Sequence, residues 1–123
     1  MIKEDYVSFE TAKLLKEKGF DEPCYMAYVP TNIKHTMRND AGHSNSMHPD
    51  DYYAVPTLQM AMKWLRKIYG IDIVIEISDP SVKDRKYYCI IWDGNNNSHI
   101  LDLFNSNEEA CEAAIKYCLE NLI

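Results

Sequence analysis

No run of apolar residues in this sequence approaches the ~20 needed to span a bilayer. The start, Met1-Ile-Lys-Glu-Asp-Tyr6, carries acids where a signal peptide has its apolar stretch. Membrane insertion and export are therefore not expected, and a cytoplasmic location is the default expectation. Basic residues are in deficit, 13 Lys and Arg against 19 Asp and Glu, for a formal charge of −6. A nucleic-acid binder concentrates Lys and Arg on at least one face, so a polyanion partner is not expected. The deficit is spread evenly, with 6 basic and 9 acidic residues up to Met62 and 7 and 10 beyond it, so no charged tail is present. The four glycines (Gly19, Gly42, Gly70, Gly94) stand singly, which excludes a glycine-rich phosphate-binding loop. Cys24, Cys89, Cys111 and Cys118 form no Cys-x-x-Cys pair, and without export the expectation is buried, reduced thiols. Internal repeats and low-complexity segments are also absent.

What is present is a 123-residue chain, 46% apolar, of the size of one soluble domain that needs no disulfide or metal staple. An amphipathic helix is expected from Ser8 to Lys18, with Ser8 as N-cap, Phe9, Ala12, Leu14 and Leu15 as its stripe, and Gly19 and Phe20 closing it. Cys24–Val29 reads as a strand ended by Pro30. Thr31–Val55 reads as a long irregular loop with no period, within which a short strand or ribbon is expected near Ile33–Met37. Thr57–Tyr69 reads as a second helix, whose broad stripe of Leu58, Ala61, Met62, Leu65 and Tyr69, widened by Trp64 and Ile68, needs cover on more than one side. Three strands follow: Ile71–Ser78 with clean alternation, Tyr87–Trp92, and Ser98–Phe104 after the turn Asp93–Asn97. Ser106 and Glu109 form a capping box that starts a last helix. The expected fold is one α+β domain over residues 1–123, in the order α-β-α-β-β-β-α, with an antiparallel sheet and helices packed mainly on one face.

Candidate chemistry is sparse. His35, His43 and His48, beside Asp40, Asp50 and Asp51, are ligand types a zinc site uses, but spacings of eight and five residues match no helical pair and no finger pattern. Solvated loop histidines are the plainer expectation, with metal binding at these three as the alternative. A nucleophilic cysteine needs an exposed thiol beside positive charge. Cys111 instead has Glu108, Glu109 and Glu112 around it, Cys118 and Cys89 lie on core faces, and Cys24, beside Pro23, is the one with a chance of exposure. The adjacent acids Asp50 and Asp51 and the strand residue Glu76 offer no convergent acid–base pair. No cofactor is expected.

The middle strand carries more information. Tyr88, Ile90 and Trp92 share one face while Tyr87, Cys89 and Ile91 share the other, so both faces are apolar. Either helices and the long loop cover both sides, which is the favoured reading, or Tyr88, Ile90 and Trp92 form an exposed docking patch for a protein partner or a second copy of the chain. From Thr57 onward the order α-β-β-β-α is similar to the double-stranded-RNA-binding domain, a family that contacts phosphates with a lysine cluster opening its last helix. Here that stretch is Asn107-Glu-Glu-Ala-Cys-Glu112, acidic where the family is basic, and Lys63, Arg66 and Lys67 are too small a patch to offset it.

Three stretches, YVSFETAKLLKEKGF (Tyr6–Phe20), AVPTLQMAMKWLR (Ala54–Arg66) and EEACEAAIKYCLENL (Glu108–Leu122), together resemble small uncharacterised proteins of phage, prophage and mobile-element origin in gut anaerobes. The resemblance covers most of the chain, with Thr31–Asp51 and the hairpins as its variable parts, and it carries no assigned activity and no catalytic residue. It implies an accessory protein that binds host or phage proteins. The leading expectation is therefore a non-enzymatic protein-interaction module. The alternatives are a metal- or cysteine-dependent enzyme centred on the histidine loop, and a double-stranded-RNA-binding-like domain with a degenerate RNA surface.

Overall fold

The computed structural model describes residues 1–31, 34–48 and 51–123, with side chains described outside 31–38, 40 and 41. The chain is of the α+β class, its sheets are antiparallel, and it divides into two compact units, Met1–Thr57 and Leu58–Ile123.

In the first unit, helix α1 (Phe9–Glu17) forms where the sequence supplies both ends. Ser8 lies in extended conformation and its Oγ accepts from the Thr11 N–H at 3.2 Å, satisfying one of the free donors of the first turn. At the other end Gly19 takes φ +93°, which allows Gly19 N–H to reach the Lys16 carbonyl and Phe20 N–H the Leu15 carbonyl. This is a Schellman closure, and the buried Phe20 ring seals it. The buried side of α1 is Thr11, Ala12 and Leu15.

Strands β1 (Cys24–Thr31), β2 (Lys34–His43) and β3 (Tyr53–Val55) form an antiparallel sheet in the order β2-β1-β3. β1 thus runs past Pro30, which pairs with His35, and Cys24 pairs with His43 across a register shift near Met26. Between β2 and β3 lies a short 3₁₀ turn, Asn45–Met47. The Asn45 side chain is buried and bonded through both its nitrogen and its oxygen. Its Nδ2 donates to the Phe20 carbonyl and its Oδ1 accepts from the Ala54 N–H, both at 2.8 Å. One side chain therefore ties the end of α1, the 3₁₀ turn and β3 together. Phe9 meets Tyr28 and Tyr53 edge-on at 5.5 and 5.3 Å between ring centroids. Lys16 Nζ donates to the Tyr52 carbonyl at 2.6 Å and lies over the Tyr53 ring.

The second unit runs α2 (Leu58–Tyr69), β4 (Asp72–Ile77), β5 (Tyr87–Trp92), β6 (Ser98–Phe104) and α3 (Asn107–Asn121), with the strands in the order β4-β5-β6. Gly70, at φ +68°, ends α2 and lets Ile71 N–H return to the Leu65 carbonyl. The capping box of α3 is made, with Ser106 Oγ accepting from Glu109 N–H at 3.1 Å. Glu109 reaches back one residue further than the simplest version of the motif, to Asn105 N–H. The α3 face of Ala110, Cys111, Ala114, Ile115, Cys118 and Leu119 is buried, and α3 packs against all three strands while α2 packs against α3 and β4. Cys89 and Ile91 of β5 are fully buried on the sheet face that carries the core.

The predicted elements occur in their predicted order, and β5 and β6 keep the predicted limits. The expected long loop at Thr31–Val55 instead contains β2, the 3₁₀ turn and β3, because its polar residues pair through backbone groups that hydropathy does not register. The ribbon expected near Ile33–Met37 corresponds to the start of β2 at Lys34, with residue 33 outside the described residues. On α2, Trp64 is buried while Ile68 and Tyr69 are exposed, so the stripe does not need cover along its whole width.

Candidate functional site

Two regions carry unspent chemistry. The first is the outer face of the β4-β5-β6 sheet. Register places Asp72 opposite Trp92, Val74 opposite Ile90 and Glu76 opposite Tyr88 on one side of β5, and Ile100 opposite Ile90 and Ser98 opposite Trp92 on the other. Val74, Ile90 and Ile100 therefore form an apolar row across all three strands, flanked along β5 by Tyr88 and Trp92. Val74, Trp92 and Ile100 are 39%, 46% and 62% exposed, and Tyr88 and Ile90 are half-buried. Exposed acids surround the row: Asp72 and Glu76 on β4 and Asp102 on β6. Of the two readings of the middle strand, the Cys89 and Ile91 side is buried and the Tyr88, Ile90 and Trp92 side faces outward. Val74 and Ile100, which extend the patch to the neighbouring strands, come from register rather than from sequence proximity.

The second region lies at the end of β2. His43 Nδ1 and His48 Nε2 are 2.7 Å apart, their rings nearly parallel, and the His48 ring stacks on Tyr52 at 4.0 Å between centroids. Both histidines are half-buried and Tyr52 is buried. Between them in the chain, Ser46 N–H donates to Asp21 Oδ1 at 2.7 Å, and the hydrogen bonds from Ser46 hold the Asp21 carboxyl below the usual carboxylate range. His35 is not part of this pair. Its backbone sits opposite Pro30, eight residues along β2 and so ~26 Å away at strand rise, and its side chain lies outside the described residues. Asp50 also lies outside them, and Asp51 is exposed. Among the described residues no group of three or more His, Cys, Asp or Glu side chains is placed to hold a metal ion.

The fourth histidine, which the sequence did not single out, stands in a hydrogen-bonded chain. Asp93 Oδ2 lies 3.1 Å from His99 Nε2, and His99 Nδ1 lies 3.2 Å from the Tyr117 hydroxyl. With the carboxylate holding the Nε2 proton, the Nδ1 lone pair accepts from the phenol. Asp93 Oδ1 also accepts from Asn95 and Asn97 N–H, and these bonds together with His99 lower its pKa. The chain joins the β5–β6 turn, β6 and α3. Its only trace in the sequence is the core-facing position of a histidine six residues after a turn aspartate.

The cysteines are free and buried. Cys24, expected to have a chance of exposure, is 2% exposed because β1 places it inside, opposite His43. Burial, with the Glu22 carboxylate adding to it, pushes its thiol up to about 12. Burial likewise raises Cys118 to about 12 and raises Cys89. These thiols stay protonated at neutral pH, the opposite of what a cysteine nucleophile needs. Lys63, Arg66 and Lys67 are exposed on α2, while Glu108 and Glu109 are exposed at the opening of α3. Among the described residues, no helix is long and apolar enough to cross a membrane. No protein-family model matches the chain, and neither a curated protein nor a solved structure matches it.

Proposed function

We propose that this chain is a non-enzymatic protein-binding module that docks its partner on the outer face of the β4-β5-β6 sheet. The observation that carries this reading is the apolar row Val74–Ile90–Ile100 with Trp92 and Tyr88, open on the face opposite α3. Exposed aromatic and branched side chains grouped in this way supply the desolvated centre of an interface, where Trp and Tyr contribute most. The rim of Asp72, Glu76 and Asp102 selects a partner with an apolar centre and a Lys- or Arg-rich border. A second copy of this chain would add acids to acids, so a different, basic protein is favoured. In the mobile-element setting that the resemblance implies, that partner is a host or phage protein. The buried, protonated thiols support the non-enzymatic side of this reading.

The test is site-specific photo-crosslinking in cells of the source organism, with the photoreactive residue at position 100 and, as control, at exposed position 120 on α3. A discrete adduct with a basic protein from position 100, absent from position 120 and lost when Trp92→Ser is added, is the expected result. Equal labelling from both positions, no adduct from position 100, or an adduct of two copies of the chain would overturn the reading.

A further inference from the structure

We infer that the open edge of β4 receives an extended peptide strand in which an apolar residue is flanked, two places to either side, by Lys or Arg. The inference rests on the docking face proposed above and names the form of its partner.

β4 ends the β4-β5-β6 sheet, and among the described residues no strand pairs with its other side. In an antiparallel pair every second residue of the outer strand turns its N–H and C=O away from its neighbour, so β4 offers a ladder of donors and acceptors to an added strand. Edges are commonly blunted by a bulge, a proline or a lysine. β4, Asp72-Ile-Val-Ile-Glu-Ile77, has none of these and stays in register with β5 from Asp72–Trp92 to Ile77–Tyr87. The opposite edge differs. β6 shifts register between the partners of Tyr87 and Cys89, which breaks its ladder near Asp102 and Leu103.

The apolar cover also runs out at β4. Cys89 and Ile91 are fully buried, while Ile75 and Ile73, which lie opposite them, are only half-buried. An added strand lays its inward side chains beside those two isoleucines and its outward ones beside Asp72, Val74 and Glu76. Directly opposed side chains on one face set the preference of a strand pair. Basic residues facing Asp72 and Glu76 and an apolar residue facing Val74 are therefore selected, which extends the row Val74–Ile90–Ile100 by one strand. β4 of a second copy does not fit. Antiparallel pairing centred on Val74 sets Asp72 against Glu76 twice, acid against acid. The occupant is thus a segment of a different, basic protein, held by main-chain hydrogen bonds while its side chains set its identity.

The experiment titrates the full chain with the capped peptide TKVIVKT, followed by NMR, with amide hydrogen exchange measured at saturation. Binding at one site and exchange of alternate β4 amides slowed at least roughly tenfold, with β6 amides unchanged, are expected. The peptide N-methylated at every second residue loses the ladder in one frame and keeps it in the other, so binding in one frame alone is expected. The double variant Asp72→Lys, Glu76→Lys, checked for folding by circular dichroism, is expected to bind TKVIVKT roughly tenfold more weakly and to take TEVIVET instead. No binding of TKVIVKT, equal binding of both N-methylated frames, or slowed exchange on β6 in place of β4 would overturn strand addition. A position-100 adduct from cells alongside any of these leaves the docking face standing, whereas its loss removes the face as well.

Discussion

A single buried amide carries more of the first unit than its size suggests. Asn45 satisfies the Phe20 carbonyl and the Ala54 N–H, two backbone groups in the buried part of the unit. Asn45→Ala removes both bonds and is expected to cost roughly 2–5 kcal/mol in urea unfolding. Asn45→Asp keeps the volume but has nothing to donate to Phe20, so it too is expected to destabilise the fold. The thiols act at the same scale. Cys24 and Cys118 at about 12 hold only roughly one thiolate in ten thousand at pH ~8, so alkylation of the folded protein is expected to be at least ~100-fold slower than that of the urea-unfolded chain. For a thiol raised on folding, the stabilising contribution is complete below its unfolded pKa of ~8.5 and is lost as pH rises toward about 12. Unfolding measured at pH ~8 and ~10.5 is expected to show a smaller loss of stability for Cys24→Val than for the parent.

Elements begin and end where local chemistry tells them to, and positive-φ glycines make this testable. Gly42 and Gly94 have φ +85° and +84°, but an added Cβ meets nothing at Gly42, while at Gly94 it lies 3.2 Å from the Gly70 carbonyl oxygen. Each Gly→Ala exchange carries ~1–2 kcal/mol of left-handed strain. Gly94→Ala adds a backbone clash, so its melting temperature is expected to fall further than that of Gly42→Ala. The Asp93–His99–Tyr117 chain fastens α3 to the β5–β6 hairpin, and Tyr117→Phe removes one of its links. About 1 kcal/mol is expected from that loss, measured by urea unfolding. Ser8, Gly19, Gly70, Ser106 and Glu109 were all legible in the sequence as ends of helices because capping is set within a few residues. β2 was legible only at its start, as the ribbon near Ile33–Met37, since its partner groups lie on β1 and its side-chain pattern is polar.

At the scale of the whole molecule, the six-charge acidic excess acquires a location. Some of it borders the open apolar row as Asp72, Glu76 and Asp102, where, on the proposed docking reading, it would select the charge of a partner. Ile100→Lys places a cation at the β6 end of that row without touching the core. Its stability in urea is expected to stay within ~0.5 kcal/mol of the parent, while crosslinking from position 92 is lost. Tyr88, Ile90 and Trp92 were readable as a set because alternation with period two puts them on one face. Which face looks outward was not readable, since Tyr87, Cys89 and Ile91 are equally apolar.

The sequence by itself determined the α+β class, the helix starts, the alternation of β4 and β5, and the acidic character of the α3 opening. Each of these follows from residue type and spacing within one element. Tertiary structure alone decided that the polar stretch after Pro30 is mostly strand, that Cys24 is buried, and that Val74 and Ile100 join Trp92. It also decided that His43 meets His48 while His35 stands at the far end of the same strand. Those outcomes depend on strand pairing between distant segments, and pairing is set by backbone hydrogen bonds and packing that local sequence does not encode.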